Sequence, residues 1–117
     1  MYDESLYFRV GDVKAYIDIG AEKVIIAEKG MSKIAVEVKS FIGESNMPEF
    51  QRALGQYIEY NTILELKEPD RILYLAVPKD VYDTFFAWPL IQQITQGQAM
   101  KFLVYDEIEQ GIVQWIN

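Results

Sequence analysis

Two side chains of opposite charge, Glu37 and Lys39, are the first candidates for chemistry in this sequence. They belong to residues 33–39, where apolar residues alternate with the others as they do in a β-strand. Glu37 and Lys39 therefore share one face of the predicted strand, about 6.6 Å apart along its axis. Such a pair can act together on a substrate, or it can be the solvent-facing side of an amphipathic strand that discourages edge pairing.

A second carboxylate, Asp18, comes before the next β-forming segment. An Asp at the end of one strand can meet a Glu on an antiparallel neighbour, so we expect Asp18 and Glu37 to lie close together. Two carboxylates suit Mg²⁺ or Mn²⁺, because these cations prefer oxygen ligands and combine one or two carboxylates with substrate phosphate oxygens. Lys39 beside them would stabilise a phosphate or help to deprotonate a metal-bound water.

The composition excludes several other kinds of site. The 117 residues include neither cysteine nor histidine, so one chain cannot form a disulfide, a thiol or histidine catalytic centre, or a histidine-based zinc site. The net charge of −7 argues against broad electrostatic binding to DNA or anionic membranes. Residues 1–39 hold 6 basic and 7 acidic side chains, whereas residues 40–117 hold 5 and 11. If a polyanion binds, we therefore expect it to bind the first third of the chain.

Hydrophobic patterning predicts one α/β domain over residues 1–117, with a mixed sheet flanked by helices. A long helix of about 18 residues is predicted to follow Asn46 as its N-cap. Because a strand, a long helix and another strand follow one another, we expect a right-handed crossover within the sheet. The predicted strands are residues 6–10, 13–19, 24–27, 33–39, 71–77, 101–105 and 111–116, and the two short helices are residues 79–86 and 89–96.

The long helix carries two further candidates, Gln56 and Tyr60. They are four residues apart and therefore lie on one helix face. They are either a surface amide and a packed tyrosine or part of a site. The stripe predicted to pack on the sheet consists of Phe50, Leu54, Tyr57, Asn61 and Leu64, flanked by Ala53 and Ile63.

Asp18 together with Glu37-Val38-Lys39 resembles the PD-(D/E)XK nuclease superfamily, whose signature is an Asp on one strand and Glu-x-Lys on the next. Gln56 and Tyr60 are similar to the Gln-x-x-x-Tyr motif that the RecB-like branch places after its Glu-x-Lys strand. The resemblance implies an endonuclease-like fold in which Asp18 and Glu37 bind Mg²⁺ or Mn²⁺. It also implies that Lys39 positions the attacking water and that Gln56 and Tyr60 orient the site.

A longer resemblance, to the XisH family, covers nearly the whole chain. That family comprises controlling factors for excision of the cyanobacterial fdxN DNA element. Membership implies a role in programmed DNA rearrangement during heterocyst differentiation, beside a site-specific recombinase and an XisI-like partner. The matching blocks are residues 18–23, 27–30, 33–41, 53–57, 68–71, 73–78 and 112–117.

The start of the chain departs from the family pattern, since members usually begin with an extra helix before the first strand. Without that helix the sheet leaves apolar surface open, so we expect a second copy to cover it, with a C₂ homodimer first. Residues 82–90 and 112–116 are the predicted contact surfaces, because aromatic side chains supply large contact areas. No apolar run approaches the roughly 20 residues that span a bilayer, and no signal peptide is recognisable, which predicts a cytoplasmic protein without membrane contact.

Two functions remain open on this sequence. One is a Mg²⁺-dependent endonuclease-like factor that acts on DNA through Asp18, Glu37 and Lys39. The other is a non-catalytic subunit that keeps the fold and regulates a recombinase by binding it or an XisI-like protein. The acidic balance after residue 40 and the missing first helix favour the second function.

Overall fold

The protein is described here by a computed structural model of residues 12–19, 22–29, 31–41, 45–106 and 111–117, with side chains except at 12–19, 22–24 and 29. The predicted strand at residues 6–10 lies outside the described residues. The elements in chain order are β1 (Asp12–Ile19), β2 (Glu22–Lys29), β3 (Ser32–Val38), α1 (Asn46–Lys67), β4 (Arg71–Pro78), α2 (Lys79–Thr84), a 3₁₀ turn (Phe85–Ala87), α3 (Pro89–Gly97), β5 (Phe102–Asp106) and β6 (Gly111–Ile116).

The strands form one mixed sheet of six strands whose spatial order follows the chain, β1 to β6. β4 runs parallel to both β3 and β5, and the remaining neighbours are antiparallel. The parallel pair β3 and β4 is joined through α1, because parallel strands need a long connection. The mixed α/β architecture and the strand–helix–strand unit predicted from the sequence are confirmed.

The two faces of the sheet have different coverings. On one face, which we call the helix face, the strands contribute Ile26, Ala35, Leu73, Leu75, Val77 and Phe102 to a core shared with α1, α2, the 3₁₀ turn and α3. On the other, the second face, the buried side chains are Ile25, Ala27, Ile34, Val36, Tyr74, Ala76, Leu103 and Tyr105. Strand residues alternate between these two clusters, as the two-residue period of a strand requires.

Helix α1 differs from its prediction in length and in rotation. It has 22 residues, and Ser45 rather than Asn46 is the N-cap residue, with extended backbone and no side-chain capping bond. Asn46 is already helical. The helix ends before Pro69, which disfavours helical backbone in the residue ahead of it. Its buried side chains are Phe50, Ala53, Tyr57, Tyr60 and Leu64, whereas Leu54 and Asn61 are half-buried at the margin of the packed face.

The segment between β4 and β5 brings aromatic rings together on the helix face. Phe85 and Phe86 are buried, with ring centroids 5.4 Å apart in an edge-on arrangement. Trp88 is instead 56% exposed, because it occupies the extended link between the 3₁₀ turn and α3. Within the described parts of the chain, each helix is too short or too polar to cross a membrane.

Candidate functional site

The carboxylate of Glu37 and the ammonium group of Lys39 form a buried pair on the helix face. Glu37 is 1% exposed and Lys39 is 8% exposed. Lys39 Nζ lies 3.6 Å from Glu37 Oε2. Ala35, two positions earlier on the same face, is also fully buried. The solvent-facing alternative for this side of β3 is therefore wrong, because the helices cover the side that alternation marks as polar.

Stability alone explains this pair poorly. Removing two charges from water costs on the order of several kcal/mol per ion, and their attraction repays this only with favourable geometry. Replacement of buried ion pairs by apolar residues of similar volume is often neutral or stabilising. The burial of both Glu37 and Lys39 therefore favours a functional role over a purely stabilising one.

The pair lies at the carboxyl end of β3, where the chain leaves the sheet toward α1. The backbone N–H of Lys39 donates a 2.9 Å hydrogen bond to the carbonyl of Ala76, which extends the β3–β4 pairing beyond the last residue of β3. Because β3, β4 and β5 are parallel, their carboxyl ends meet at one edge of the sheet. Ligands of open α/β sheets bind in the crevice outside that edge.

Gln56 and Tyr60 are on α1, which packs on the same face as Glu37. Tyr60 is 1% exposed and belongs to the core cluster that contains Ala35. Gln56 is half-buried, and its Oε1 atom is inaccessible to solvent. The structure thus places Gln56 and Tyr60 on the side of the sheet that carries Glu37 and Lys39.

Tyr57 fixes the position of α1 over the parallel strands. Its hydroxyl donates to the carbonyl of Leu73 at 3.2 Å and accepts from the backbone N–H of Lys101 at 3.1 Å. Leu73 is paired with Ala35, two residues before Glu37. Burial raises the pKa of Tyr57 above its ordinary value, and the bond from Lys101 partly opposes this rise. The uncharged hydroxyl of Tyr57 therefore anchors α1 over the strands that carry Glu37 and Lys39.

Asp18 is described through its backbone only. It is the penultimate residue of β1, and its Cα partner on β2 is Lys23. Its side chain lies outside the described part of the structure, so the predicted pairing of Asp18 with Glu37 stays a prediction. Among the described side chains, no group of three or more acidic residues is placed to hold a metal ion together.

Arg71 is a buried charge that the sequence analysis missed. Its Nη1 donates to the carbonyls of Ala27 and Ile34, at 3.1 and 2.9 Å, while Nε and Nη2 donate to Glu68 Oε1 at 3.1 and 3.0 Å. Because Arg71 is paired with Lys33, it lies at the amino-terminal end of the parallel strands, away from Glu37. Arg71 therefore joins β2, β3 and β4. In the sequence it is the last residue of the block at residues 68–71 that matches the family pattern.

A groove of 330 Å³ opens between the start of α1 and the turn before α3. The exposed ring of Trp88 forms part of its wall. The groove is linked to the site through Phe85, whose ring centroid lies 6.4 Å from that of Phe41, two residues after Lys39. Its lining residues are Ser45, Asn46, Met47, Thr84, Phe85 and Trp88.

Comparison with known proteins gave one family and two closely similar structures. The family model described as XisH protein matches residues 1–113. An XisH family protein from Nostoc punctiforme PCC 73102 is 38% identical with a TM-score of 0.86, and 97% of this chain covers 94% of that one. An fdxN element excision controlling factor protein from Anabaena variabilis is 41% identical, with the same TM-score and coverage. No curated protein matched.

Proposed function

This chain belongs to the XisH family, and from that premise we propose that it is an excision controlling factor with a metal-dependent, endonuclease-like site. Its similarity to the Anabaena variabilis protein supports the role in excision of a DNA element. The buried Glu37–Lys39 pair, with its 3.6 Å separation at the carboxyl edge of the sheet, is the observation that carries the proposed chemistry.

The residues present fit a hard divalent cation. Glu37 offers carboxylate oxygens in a water-poor place, and Mg²⁺ and Mn²⁺ prefer oxygen ligands. In the proposal, Glu37 and a second carboxylate from β1 or β2 would hold the cation. A bound Mg²⁺ would supply charge stabilisation for a phosphate and would lower the pKa of a bound water.

The chain's own residues would supply the rest of the chemistry. The ammonium group of Lys39 has three N–H donors, which can hold the attacking water or a phosphate oxygen. Gln56 and Tyr60 would orient the substrate or its ligands from α1. Covering of this face by the helices excludes water, which strengthens each electrostatic contact at the site.

DNA hydrolysis by purified protein tests this function. We expect Mg²⁺- or Mn²⁺-dependent cleavage of plasmid or oligonucleotide DNA by the wild-type protein. Glu37→Gln and Lys39→Met should each lower the rate by about 10²-fold or more. Glu59→Gln is the matched control, because Glu59 is an exposed carboxylate on α1. Equal rates for all four proteins would trace the cleavage to a contaminant and contradict the proposal.

A non-catalytic role is the second candidate, and two exposed apolar side chains favour it. Trp88 and Leu90 are 56% and 59% exposed, and Trp88 lines the groove at the start of α1. Aromatic residues of this kind anchor protein interfaces. In this alternative the chain binds a site-specific recombinase or an XisI-like protein without cutting DNA. Loss of binding to such a partner on Trp88→Ala, with wild-type protein inactive on DNA, would support it.

A further inference from the structure

We infer that Glu22, rather than Asp18, supplies the second carboxylate of the Glu37 site. The inference rests on the proposed metal-binding function and assigns one of its ligands. It comes from the pairing register of β1, β2 and β3, which fixes the face of the sheet to which each strand position belongs.

Described side chains on β2 and β3 establish the two faces. Ile26 is paired with Ala35, and both belong to the helix-face cluster. Ile25 is paired with Val36, and both belong to the second-face cluster. Directly paired residues of an antiparallel sheet therefore share a face here, as the pleat requires.

Alternation then separates Glu22 from Asp18. Position 22 on β2 shares the face of Ile26, which is the face of Ala35 and Glu37. On β1, Tyr16 is paired with Ile25, so positions 16 and 18 belong to the second face. The irregularity in the β1–β2 register lies between Val13 and Ala15, before all these positions.

The same register gives the level of Glu22 along the strands. The observed β2–β3 pairs run from Lys29 with Ser32 to Ile25 with Val36. Extending the same register by three residues would place position 24 across from Glu37 and position 22 across from Lys39. Opposite positions of neighbouring strands lie about 5 Å apart, and diagonal ones about 7–8 Å apart, within reach of long side chains. On this extended register, position 22 is opposite Lys39 and diagonal to Glu37, which is the register position that we assign to the second acidic ligand.

Asp18 has another role on this register. Its direct partner is Lys23, so the two positions form an opposite-charge pair across the β1–β2 hairpin. Opposite charges at directly paired positions of neighbouring strands are generally stabilising. This accounts for an acidic residue at position 18 without a part in metal binding.

Mn²⁺ titration followed by calorimetry tests the assignment, with circular dichroism to verify that each variant is folded. Glu22→Gln should weaken Mn²⁺ binding at least tenfold, as should Glu37→Gln, whereas Asp18→Asn should change it less than twofold. Glu28→Gln is the matched control, because Glu28 occupies the same strand and face but lies across from Lys33. It should also bind within twofold of wild type.

The contrary outcomes separate this inference from the proposed function. Tight binding by Glu22→Gln with loss of binding in Asp18→Asn overturns the assignment and leaves the metal site standing. Absence of Mn²⁺ binding by the wild-type protein overturns the metal site itself. A double-mutant cycle of Glu22→Gln with Lys39→Met, read as shifts in the urea midpoint, then tests the placement. Non-additive shifts support it and additive shifts overturn it.

Discussion

The ring of Phe41 meets the ring of Phe86 nearly edge-on, with centroids 5.6 Å apart and an interplanar angle of 82°. Phe41 lies two residues after Lys39, is buried, and has a φ of 55°, the left-handed conformation that a bulky side chain rarely adopts. The contact between the rings holds the backbone in this strained state, so the aromatic cluster fixes the direction in which the chain leaves the site.

Two substitutions at Phe41 separate the ring from the backbone. Both Phe41→Ala and Phe41→Gly remove the ring, at a cost of about 3–5 kcal/mol of unfolding free energy. Glycine adopts the left-handed conformation without steric cost, whereas alanine incurs about 1–2 kcal/mol. We expect Phe41→Gly to be the more stable of the two in urea unfolding. Equal or reversed stabilities would contradict strain at this position.

Removal of the Lys39 ammonium group should destabilise the fold, because the carboxylate of Glu37 would stay buried without this positive charge beside it. We expect Lys39→Met to lower the unfolding free energy by about 3–5 kcal/mol, because a broken buried pair leaves an uncompensated charge. The double variant Glu37→Gln/Lys39→Met should recover much of that loss. Lys33→Met is the control, since Lys33 is exposed on the same strand and face, and it should stay within about 0.5 kcal/mol. If the losses of unfolding free energy from the two single substitutions simply add in the double variant, the two charges act independently.

Arg71→Lys should weaken the attachment of β2 and β3 to β4. Lysine keeps the charge but loses the planar fork that reaches two carbonyls and Glu68 together. We expect a loss of about 2–3 kcal/mol, because buried carbonyls then lose their donors. Arg52→Lys changes an exposed arginine paired with Glu49 and should cost less than about 1 kcal/mol. Similar midpoints for the two variants in urea unfolding would contradict the role of Arg71.

Tyr57 gives the stability a predicted dependence on alkaline pH. Burial raises the pKa of Tyr57 above 10.0 in the folded protein. The unfolded chain therefore releases this proton first as pH rises, and the stabilisation present below pH 10 is lost above it. Tyr57→Phe should lower the melting temperature at neutral pH by removing two hydrogen bonds, and should flatten the decline from pH 9 to 11. An unchanged slope would show that other groups, such as Tyr74 and Tyr82, dominate it.

The exposed side chains at residues 88–90 give the predicted homodimer a test. Sedimentation at micromolar concentration should yield at least twice the mass of one chain. Trp88→Ser should shift the equilibrium toward the monomer, because aromatic anchors dominate interface energies. Ile58→Ser is the control, since Ile58 is another exposed apolar residue, on α1. A stable wild-type monomer would contradict the dimer and leave Trp88 free for a different partner.

Local patterning determined the element types. The alternation of residues 33–39 and the apolar run of residues 71–77 predicted β3 and β4, and the segment after residue 45 predicted α1. The fold class followed, because a strand, a long helix and a strand permit few arrangements in one sheet. The residue types at Glu37 and Lys39, with cysteine and histidine absent, also limited the chemistry before any fold was known.

Tertiary structure decided which faces are buried. The spacing of Glu37 and Lys39 was visible in the sequence, but their burial depends on where the helices pack, and no local pattern encodes that contact. For the same reason Tyr60 proved to be core, Asn61 half-buried, and Trp88 exposed beside the buried Phe86. The faces of positions 18 and 22 required the register of three strands, since one residue of slip transfers every side chain to the opposite face.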